Sequence, residues 1–419
     1  MDTWRNWDLM SDTRQEQYPW TPIKIQDLVK RIRKPVTVEA NRMYREIGIY
    51  SHGKGIFHKE ERTGDSLGNK SVFWIEPDCF VVNIVFAWEQ AIAKTTFSEE
   101  GMIASHRFPM YKPIKGKLDL DYLVYFFNTP RGKYLLGLAS PGGAGRNKTL
   151  GQAAFLDLSI PIPSFSEQRR IAEILGEWDK AITLTERLIE AKQRRKKALM
   201  QQLLTGKVRF GEFSGEWEVK KLGGLSEKVG SGITPRGGSK AYLQEGVPLI
   251  RSQNVLSGNL SLETVVYISE EQHERMKNTQ LRPRDVLLNI TGASIGRSCV
   301  VPDDFIEGNV NQHVCIIRLK ETLSPFYLSA ILNSYMGQKL IWAFQAGGNR
   351  EGLNFSQIRA FKIPLPSLDE QRRIAAVLQA CDEEIEMLGQ KLSALKGQKK
   401  GLMQQLLTGK VRPSRFSKP

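Results

Sequence analysis

Two stretches of 50 residues decide the organisation of this chain. Residues 160–209 read IPIPSFSEQRRIAEILGEWDKAITLTERLIEAKQRRKKALMQQLLTGKVR, and residues 363–412 read IPLPSLDEQRRIAAVLQACDEEIEMLGQKLSALKGQKKGLMQQLLTGKVR. They align without a gap at a constant offset of 203, and 27 of the 50 positions are identical. Chance does not produce such agreement, so the chain is a tandem repeat of two domain-sized copies.

Each repeated stretch predicts one long helix. Each copy opens with the spacing of a capping box, Ser-x-x-Glu, at Ser164–Glu167 and Ser367–Glu370. In each copy the predicted helix ends at Thr-Gly, at 205–206 and 408–409, which is a typical C-terminal stop. At 1.5 Å per residue, about 40 residues make a rod roughly 60 Å long.

One apolar stripe runs along each predicted helix in alternating steps of four and three, which is the heptad pattern of a coiled coil. We therefore expect the two helices to pair with each other within the chain, antiparallel and about a pseudo-two-fold axis, with the globes at opposite ends. The alternative is that each helix packs only on its own globe. The predicted seam residues are Ile171, Leu175, Trp178, Ile182, Ile189, Leu199 and Leu203 in the first copy and Ile374, Leu378, Cys381, Ile385, Leu388, Leu392, Leu395, Leu402 and Leu406 in the second.

A weaker similarity joins the segments that precede the two helices, so each predicts a globe of its own. Both mix strand and helix patterns, and the predicted fold class is α+β. The predicted strands are Ser71–Ile75, Phe80–Phe86, Phe108–Tyr111, Val247–Arg251, Asp285–Ile290 and Val314–Leu319, and the predicted helices are Leu118–Leu138 and Ser324–Phe344. The predicted boundaries are an extension at 1–19, a first globe at 20–159, a first helical region at 160–209, a second globe at 210–362, a second helical region at 363–412 and a tail at 413–419.

Composition narrows the class of partner. The 419 residues are 41% hydrophobic and 25% charged, which is ordinary globular usage. The net charge of +15 favours a polyanionic partner, either nucleic acid or an acidic membrane surface. The four cysteines form no C-x-x-C, and we expect a reducing compartment. The first residues do not resemble a secretory signal and no apolar run is long enough to span a bilayer, so we expect a cytoplasmic protein.

Motifs for catalysis are mostly missing. Residues 142–149 approach a phosphate loop, but the second glycine is absent and the other copy lacks the Lys-Thr pair, so a polar surface loop is the better interpretation. The five histidines show no zinc-hydrolase spacing, and no nucleophile elbow or adenine-methylation motif is present. The sequence gives no reason to assign catalysis or a bound cofactor or metal.

Side chains suited to nucleic acid recur at corresponding places in the two globes. Phosphates are contacted by lysine, arginine and polar groups, and base edges by arginine, asparagine, glutamine and histidine. Each residue alone could be a solvated turn residue, but the recurrence favours function. The candidates are His52, Lys54, Asn83, His106, Arg107, Arg146 and Lys148 in the first globe and Thr234, Arg236, Arg251, Gln253, Asn254, Asn289, Thr291, Ser294, Arg297, Gln312, His313, Asn349 and Arg350 in the second.

The repeated stretch resembles the specificity subunit of type I restriction-modification systems. The resemblance rests on I/L-P-I/L-P-x3-E-Q-x-x-I-A-x-x-L and L-M-Q-Q-L-L-T-G-K-V-R, present twice, and extends from about Trp20 to Arg412. The Gly-x-Thr-Pro loop at Gly232–Pro235 and the Asn-Ile-Thr-Gly segment at 289–292 are similar to the family's target-recognition domains. In the first globe Asn83-Ile84 is followed by Val-Phe-Ala-Trp instead.

The resemblance implies two target-recognition domains, each of which reads one half of a split DNA site. It implies that an antiparallel coiled coil sets the spacer and docks two methyltransferase subunits, and that restriction and translocation subunits join the assembly. S-adenosylmethionine would then belong to the methyltransferase partner, and ATP and Mg²⁺ to the restriction partner, while this chain binds no cofactor.

Two other hypotheses compete with a DNA-specificity subunit. One is a self-contained nuclease or methyltransferase whose active site escapes motif searches. The other is a coiled-coil scaffold whose positive charge serves solubility, which predicts weak DNA binding without sequence preference.

Overall fold

The computed structural model describes residues 19–68, 70–142, 148–235, 237–345 and 352–413. The chain forms two compact units. The first takes its described residues from Met1–Leu184 and Lys391–Pro419, and the second is Thr185–Gln390. Each unit therefore combines a globe with the beginning of one long helix and the end of the other.

Among its described residues, the first unit contains a globe of short strands and three short α-helices. Its strands are β1 (Pro22–Lys24), β2 (Val29–Ile32), β3 (Met43–Ile49), β4 (Ile56–Thr63), β5 (Val72–Trp74), β6 (Phe80–Val82), β7 (Ile92–Lys94), β8 (Ile103–Ser105), β9 (Met110–Pro113) and β10 (Ser159–Pro161). Its helices are α1 (Leu120–Phe127), α2 (Pro130–Leu138) and α3 (Gln152–Asp157), and the long helix α4 (Phe165–Leu203) follows.

The second globe has the same kinds of elements. Its strands are β11 (Glu218–Lys221), β12 (Ser226–Ser231), β13 (Val247–Ile250), β14 (Val266–Ile268), β15 (Val286–Asn289), β16 (Ser298–Val300), β17 (Asn309–Val310), β18 (Val314–Leu319) and β19 (Lys362–Leu365). Its helices are α5 (Leu222–Leu225), α6 (Glu270–Arg275), α7 (Pro325–Asn333), α8 (Tyr335–Gln345) and α9 (Phe355–Arg359), and the long helix α10 (Leu368–Leu407) follows.

Two of the three sheets correspond between the globes. The antiparallel pair β1–β10 matches β11–β19, and the sheet in the order β2-β9-β6-β7 matches β12-β18-β15-β16. The third sheet differs, because the first globe has the order β4-β3-β8-β5 and the second has β14-β13-β17. The predicted α+β class and internal repeat are confirmed, and the third sheet is where the copies diverge.

The long helices are antiparallel within each unit. In the first unit Lys399 of α10 pairs with Asp179 of α4 at 2.5 Å. In the second unit Lys192 of α4 pairs with Glu384 of α10 at 2.5 Å, and Lys196 pairs with Asp382. Going from residue 192 to 196 of α4, the paired residue of α10 moves back from 384 to 382. The two helices therefore run in opposite directions, as predicted.

The seam residues are most buried at the ends of the helices. Ile171, Leu175 and Leu406 are buried in the first unit, as are Leu203, Ile374 and Leu378 in the second, and the other predicted seam residues are half-buried. The buried ones join the cores of the globes, in the first unit beside Phe80, Phe127 and Phe155 and in the second beside Tyr327 and Phe361. Each fully buried side chain of this size contributes about 1.5–3 kcal/mol. Helix pairing and packing on the globe, which we treated as alternatives, therefore coexist.

Three local predictions were wrong in detail. Leu118–Leu138 and Ser324–Phe344 are each two helices, because Thr129 caps a new helix that begins at Pro130 and Tyr335 opens another after Ser334. The strand predicted at Phe80–Phe86 ends at Val82, where the chain turns. In the predicted capping boxes the serines accept the expected N–H bonds, but the glutamate carboxylates pair with arginines.

Candidate nucleic-acid interface

Equivalent backbone hydrogen bonds tie together the loops that carry most of the predicted DNA-contacting residues. Ile84 N donates to the carbonyl of Arg107 at 3.0 Å, and Ile290 N donates to that of His313 at 3.0 Å. Both pairs are related by an offset of 206, so Arg107 occupies the position of His313. His106, which precedes Arg107, therefore corresponds to Gln312, which precedes His313.

The loops that follow β6 and β15 share their closing bonds. Asn83 N donates to the carbonyl of Ala91 and Asn289 N to that of Arg297, each at 2.9 Å. Leu150 N donates to the carbonyl of Ile84 at 2.8 Å, as Leu353 N does to that of Ile290 at 2.9 Å. We call residues 83–91, 105–107 and 148–150 the first loop cluster, and residues 232–235, 251–254, 289–297, 311–313 and 352–353 the second loop cluster.

Two of the predicted contact residues in the second loop cluster are interior. Asn254 and Asn289 are both fully buried. The Asn254 amide receives the N–H of Arg251 at 3.0 Å and donates to the Ser261 carbonyl at 3.0 Å. The Asn289 amide donates to the Ser252 carbonyl at 2.8 Å and to Ser294 Oγ at 3.1 Å. This structure does not support direct DNA contact by either side chain, because each holds neighbouring loops together instead.

A line of polar side chains crosses three loops of the second loop cluster. The Thr234 hydroxyl is hydrogen-bonded to the side-chain amide oxygen Oε1 of Gln312. Gln312 Nε2 lies 2.9 Å from His313 Nε2, and His313 Nδ1 lies 2.6 Å from Thr291 Oγ1. Thr234 and Gln312 are exposed, and His313 and Thr291 are half-buried. The sequence predicted all four as contact residues, and the fold brings them together.

Arg251 and Gln253 converge on Thr264, a residue that the sequence did not single out. The Arg251 guanidinium donates to the Thr264 carbonyl at 2.9 Å and lies over the Tyr242 ring, 5.4 Å from its centroid. Gln253 Nε2 donates to Thr264 Oγ1 at 3.2 Å. Ring and carbonyl fix the guanidinium at the surface. Arg297 is exposed in the same loop cluster.

The first loop cluster has different side chains. The Asn83 carboxamide receives the N–H of Val85 at 3.1 Å, and the loop exposes 40% of Phe86. Lys148 lies over the Trp88 ring, 5.6 Å from its centroid, and His106 and Arg107 are exposed. The first loop cluster therefore combines basic side chains with an exposed apolar loop tip. Sequence reasoning singles out neither Phe86 nor Trp88, because Phe86 falls within the predicted strand and an apolar side chain carries no DNA-contact signal.

His52 and Lys54 are exposed on a turn beside this cluster. His52 N donates to the Glu89 carbonyl at 2.7 Å, and His52 has a φ of 63°. Arg146, Arg236, Asn349 and Arg350 lie outside the described residues.

An ion pair closes each unit where the long helices meet the globe, and its carboxylate is buried in the second unit. In the second unit Arg209 donates to both carboxylate oxygens of Glu370 at 2.8 and 2.7 Å, and Trp217 Nε1 donates to the same carboxylate at 3.2 Å. The hydrogen bond to Glu370 raises the pKa of Arg209. In the first unit Arg412 donates to Glu167 at 2.6 and 2.7 Å. These four residues belong to the repeated E-Q and K-V-R sequences, which explains why both copies contain them.

Three of the four cysteines are buried in the globes. Burial raises the pKa of Cys79, Cys299 and Cys315 to about 12, so these thiols stay protonated at neutral pH. Within the described ranges, no three histidine, cysteine or acidic side chains form a group that could hold a metal ion. Across the same ranges, none of the helices is long and apolar enough to cross a membrane.

Comparison with known families fits this geometry. Residues 19–192 and 214–396 each match the type I restriction modification DNA specificity domain. The chain belongs to this family. Each match covers one globe and part of the long helix that follows it, so the family's unit is the same unit that the internal repeat shows.

Relatives of the family resemble most of the chain. The type I restriction enzyme MjaVIII specificity subunit of Methanocaldococcus jannaschii is 25% identical over 94% of this chain and 93% of that protein. The EcoBI specificity subunit of Escherichia coli is 24% identical over 72% of this chain and 66% of that protein. The fold is also shared with the S subunit of a type I system from M. genitalium, with a TM-score of 0.58 at 15% identity over 94% of this chain and 97% of that one.

Proposed function

We propose that this chain is the DNA-recognition subunit of a type I restriction-modification complex and that each globe reads one half of a bipartite site. The observation that carries the proposal is the pair of loop clusters, which have equivalent backbone bonds and different exposed side chains. An asymmetric split site requires two recognition surfaces that share a backbone structure and differ in their exposed side chains. The net charge of +15 supplies the attraction to phosphate.

Membership of the family supports the remaining parts of the proposal. The long helices set the spacer between the two half-sites and dock two methyltransferase subunits, and restriction subunits join that complex. S-adenosylmethionine belongs to the methyltransferase subunits, and ATP and Mg²⁺ belong to the restriction subunits. The chain itself supplies recognition without catalysis and acts in the cytoplasm.

Co-expression with the cognate methyltransferase subunit, followed by mapping of adenine methylation in the host, tests the proposal. We expect a split motif that appears only when this chain is present. A stable complex without a new motif would contradict recognition by the two globes. Failure to form any complex would favour a scaffold or a self-contained enzyme.

Matched insertions test the ruler role of the helices. One heptad inserted at facing positions of both long helices preserves the seam and lengthens it by about 10 Å. We expect the preferred spacer to grow by about three base pairs while both half-sites stay the same. An unchanged spacer would show that the helices do not set the distance.

A further inference from the structure

The exposed amide of Gln312 is held by neighbouring side chains at both of its polar groups. A carboxamide oxygen only accepts hydrogen bonds, so Thr234 donates to Gln312 Oε1. Gln312 Nε2 only donates, so His313 Nε2, 2.9 Å away, accepts. The neutral imidazole then carries its proton on Nδ1, which donates to Thr291 Oγ1 at 2.6 Å. With these directions each donor in the line meets an acceptor, and both polar groups of the Gln312 amide are held by neighbouring side chains.

The backbone beneath this line is closely packed. Gly232 N donates to the Asn311 carbonyl at 3.1 Å, and His313 N donates to the Asn311 side chain at 3.0 Å. A Cβ on Gly232 would lie 1.5 Å from the carbonyl oxygen of Val310, so only glycine allows this approach. The loops that present Thr234 and Gln312 are therefore held together by their backbones as well as by their side chains.

We propose that Gln312 is the residue by which the second globe recognises an adenine, a proposal that rests on the DNA-recognition function above. Its carbonyl keeps a second lone pair and its amide a second N–H, and the side chain is exposed. Adenine presents N6–H and N7 in the major groove, the donor and acceptor that a glutamine amide pairs with bidentately. Thr234 and His313 are positioning residues that hold the amide with its free groups outward.

The first globe offers a matched control at the equivalent position. His106 precedes Arg107 as Gln312 precedes His313. The Arg107 carbonyl accepts the N–H of Ile84, and the His313 carbonyl accepts that of Ile290 in the same way. His106 is exposed, as Gln312 is. A substitution there acts on the other half-site.

The test uses the complete methyltransferase complex and duplexes that carry its mapped site. Each adenine of the second globe's half-site is replaced in turn by purine, which lacks the N6 amine, or by 7-deazaadenine, which lacks N7. At one adenine we expect each analogue to weaken binding by the wild type about 10- to 100-fold. Gln312→Ala should bind that site weakly and lose the preference for adenine over both analogues, whereas His106→Ala should keep it.

Two further variants separate reading from folding. Gln312→Glu preserves shape and keeps an acceptor for the N6 amine but removes the donor to N7, so it should lose the preference for adenine over 7-deazaadenine. Thr234→Val should weaken the preference and Thr234→Ser should restore it, since serine keeps the hydroxyl donor. If Gln312→Ala and Gln312→Glu discriminate every position as the wild type does, adenine reading by Gln312 is wrong while the proposed function stands. A wild-type complex without any preferred site would overturn both proposals.

Discussion

The loops after β6 and β15 are closed by the same backbone hydrogen bonds and expose different chemistry. The loop in the second globe carries Thr291, Gly292, Ser294 and Arg297, whereas the loop in the first contains a short 3-10 turn at Ala87–Glu89 and exposes Phe86. The equivalent bonds are made by main-chain atoms, so they form in both loops although the side chains differ. The difference teaches that recognition chemistry can change in this fold while the frame stays constant.

The largest expected effect distinguishes the ion pairs that close the two units. The side chain of Glu370 is 1% exposed and that of Glu167 is 17% exposed, with Arg209 at 24% and Arg412 at 45%. Glu370→Ala removes the buried carboxylate to which Arg209 and Trp217 donate, and it should cost about 1.5–3 kcal/mol in the second unit. Glu167→Ala should cost roughly 1 kcal/mol in the first. Hydrogen exchange of the full chain measures each unit separately, and equal losses would show that burial does not distinguish the pairs.

The next effect concerns two glycines of the second loop cluster. Gly232→Ala forces Val310 and the Gly232–Pro235 loop apart, and it should reduce binding to the second half-site more than about 10-fold. Gly292 has a φ of 75° and open space around it, so Gly292→Ala should cost only about 1–2 kcal/mol of local stability. Binding of the assembled complex to duplexes altered in one half-site measures both variants. Loss of the first half-site in either variant would contradict independent readers.

Phe86 tests whether the first globe reads by apolar contact. An exposed phenylalanine among basic residues suits the methyl group of thymine, and Phe86→Ala should weaken the first half-site about 10-fold while the second stays unchanged. Phe97→Ala is the matched control, because Phe97 is 72% exposed and lies beyond the other end of β7. The same duplex panel measures both variants. Equal effects of the two would remove Phe86 from the interface.

The smallest effect concerns charge. Arg297 is exposed at the position that Ala91 occupies in the first globe, where the side chain is fully buried. If Arg297 contacts a phosphate, Arg297→Ala should weaken binding about equally for all sequences and lower the slope of log affinity against log salt by about 1. Titrations at several salt concentrations measure that slope. A change in base preference with an unchanged slope would make Arg297 a base reader instead.

Much of this architecture was predictable because repetition and period are visible along the chain. The 203-residue offset and the alternating steps from Ile374 to Leu406 predicted two copies and two paired helices. The candidate interface was predicted less completely. Gln312, His313, Thr234 and Thr291 were named individually, but they are up to 79 residues apart, and no local pattern predicts that they form one hydrogen-bonded line.

The sequence by itself determined the repeat, the long helices, the basic charge and the family signature, because these depend on local order and composition. Only the tertiary structure decided which polar residues face outward. Asn254 and Asn289 carry amides of the kind that can recognise a base. Both side chains are buried, however, and their amides donate hydrogen bonds to the carbonyls of neighbouring loops. Gln312 stays at the surface, where Thr234 and His313 contact its amide. Burial and hydrogen-bond partners depend on which loops meet in space, and that meeting is set by the β12-β18-β15-β16 sheet.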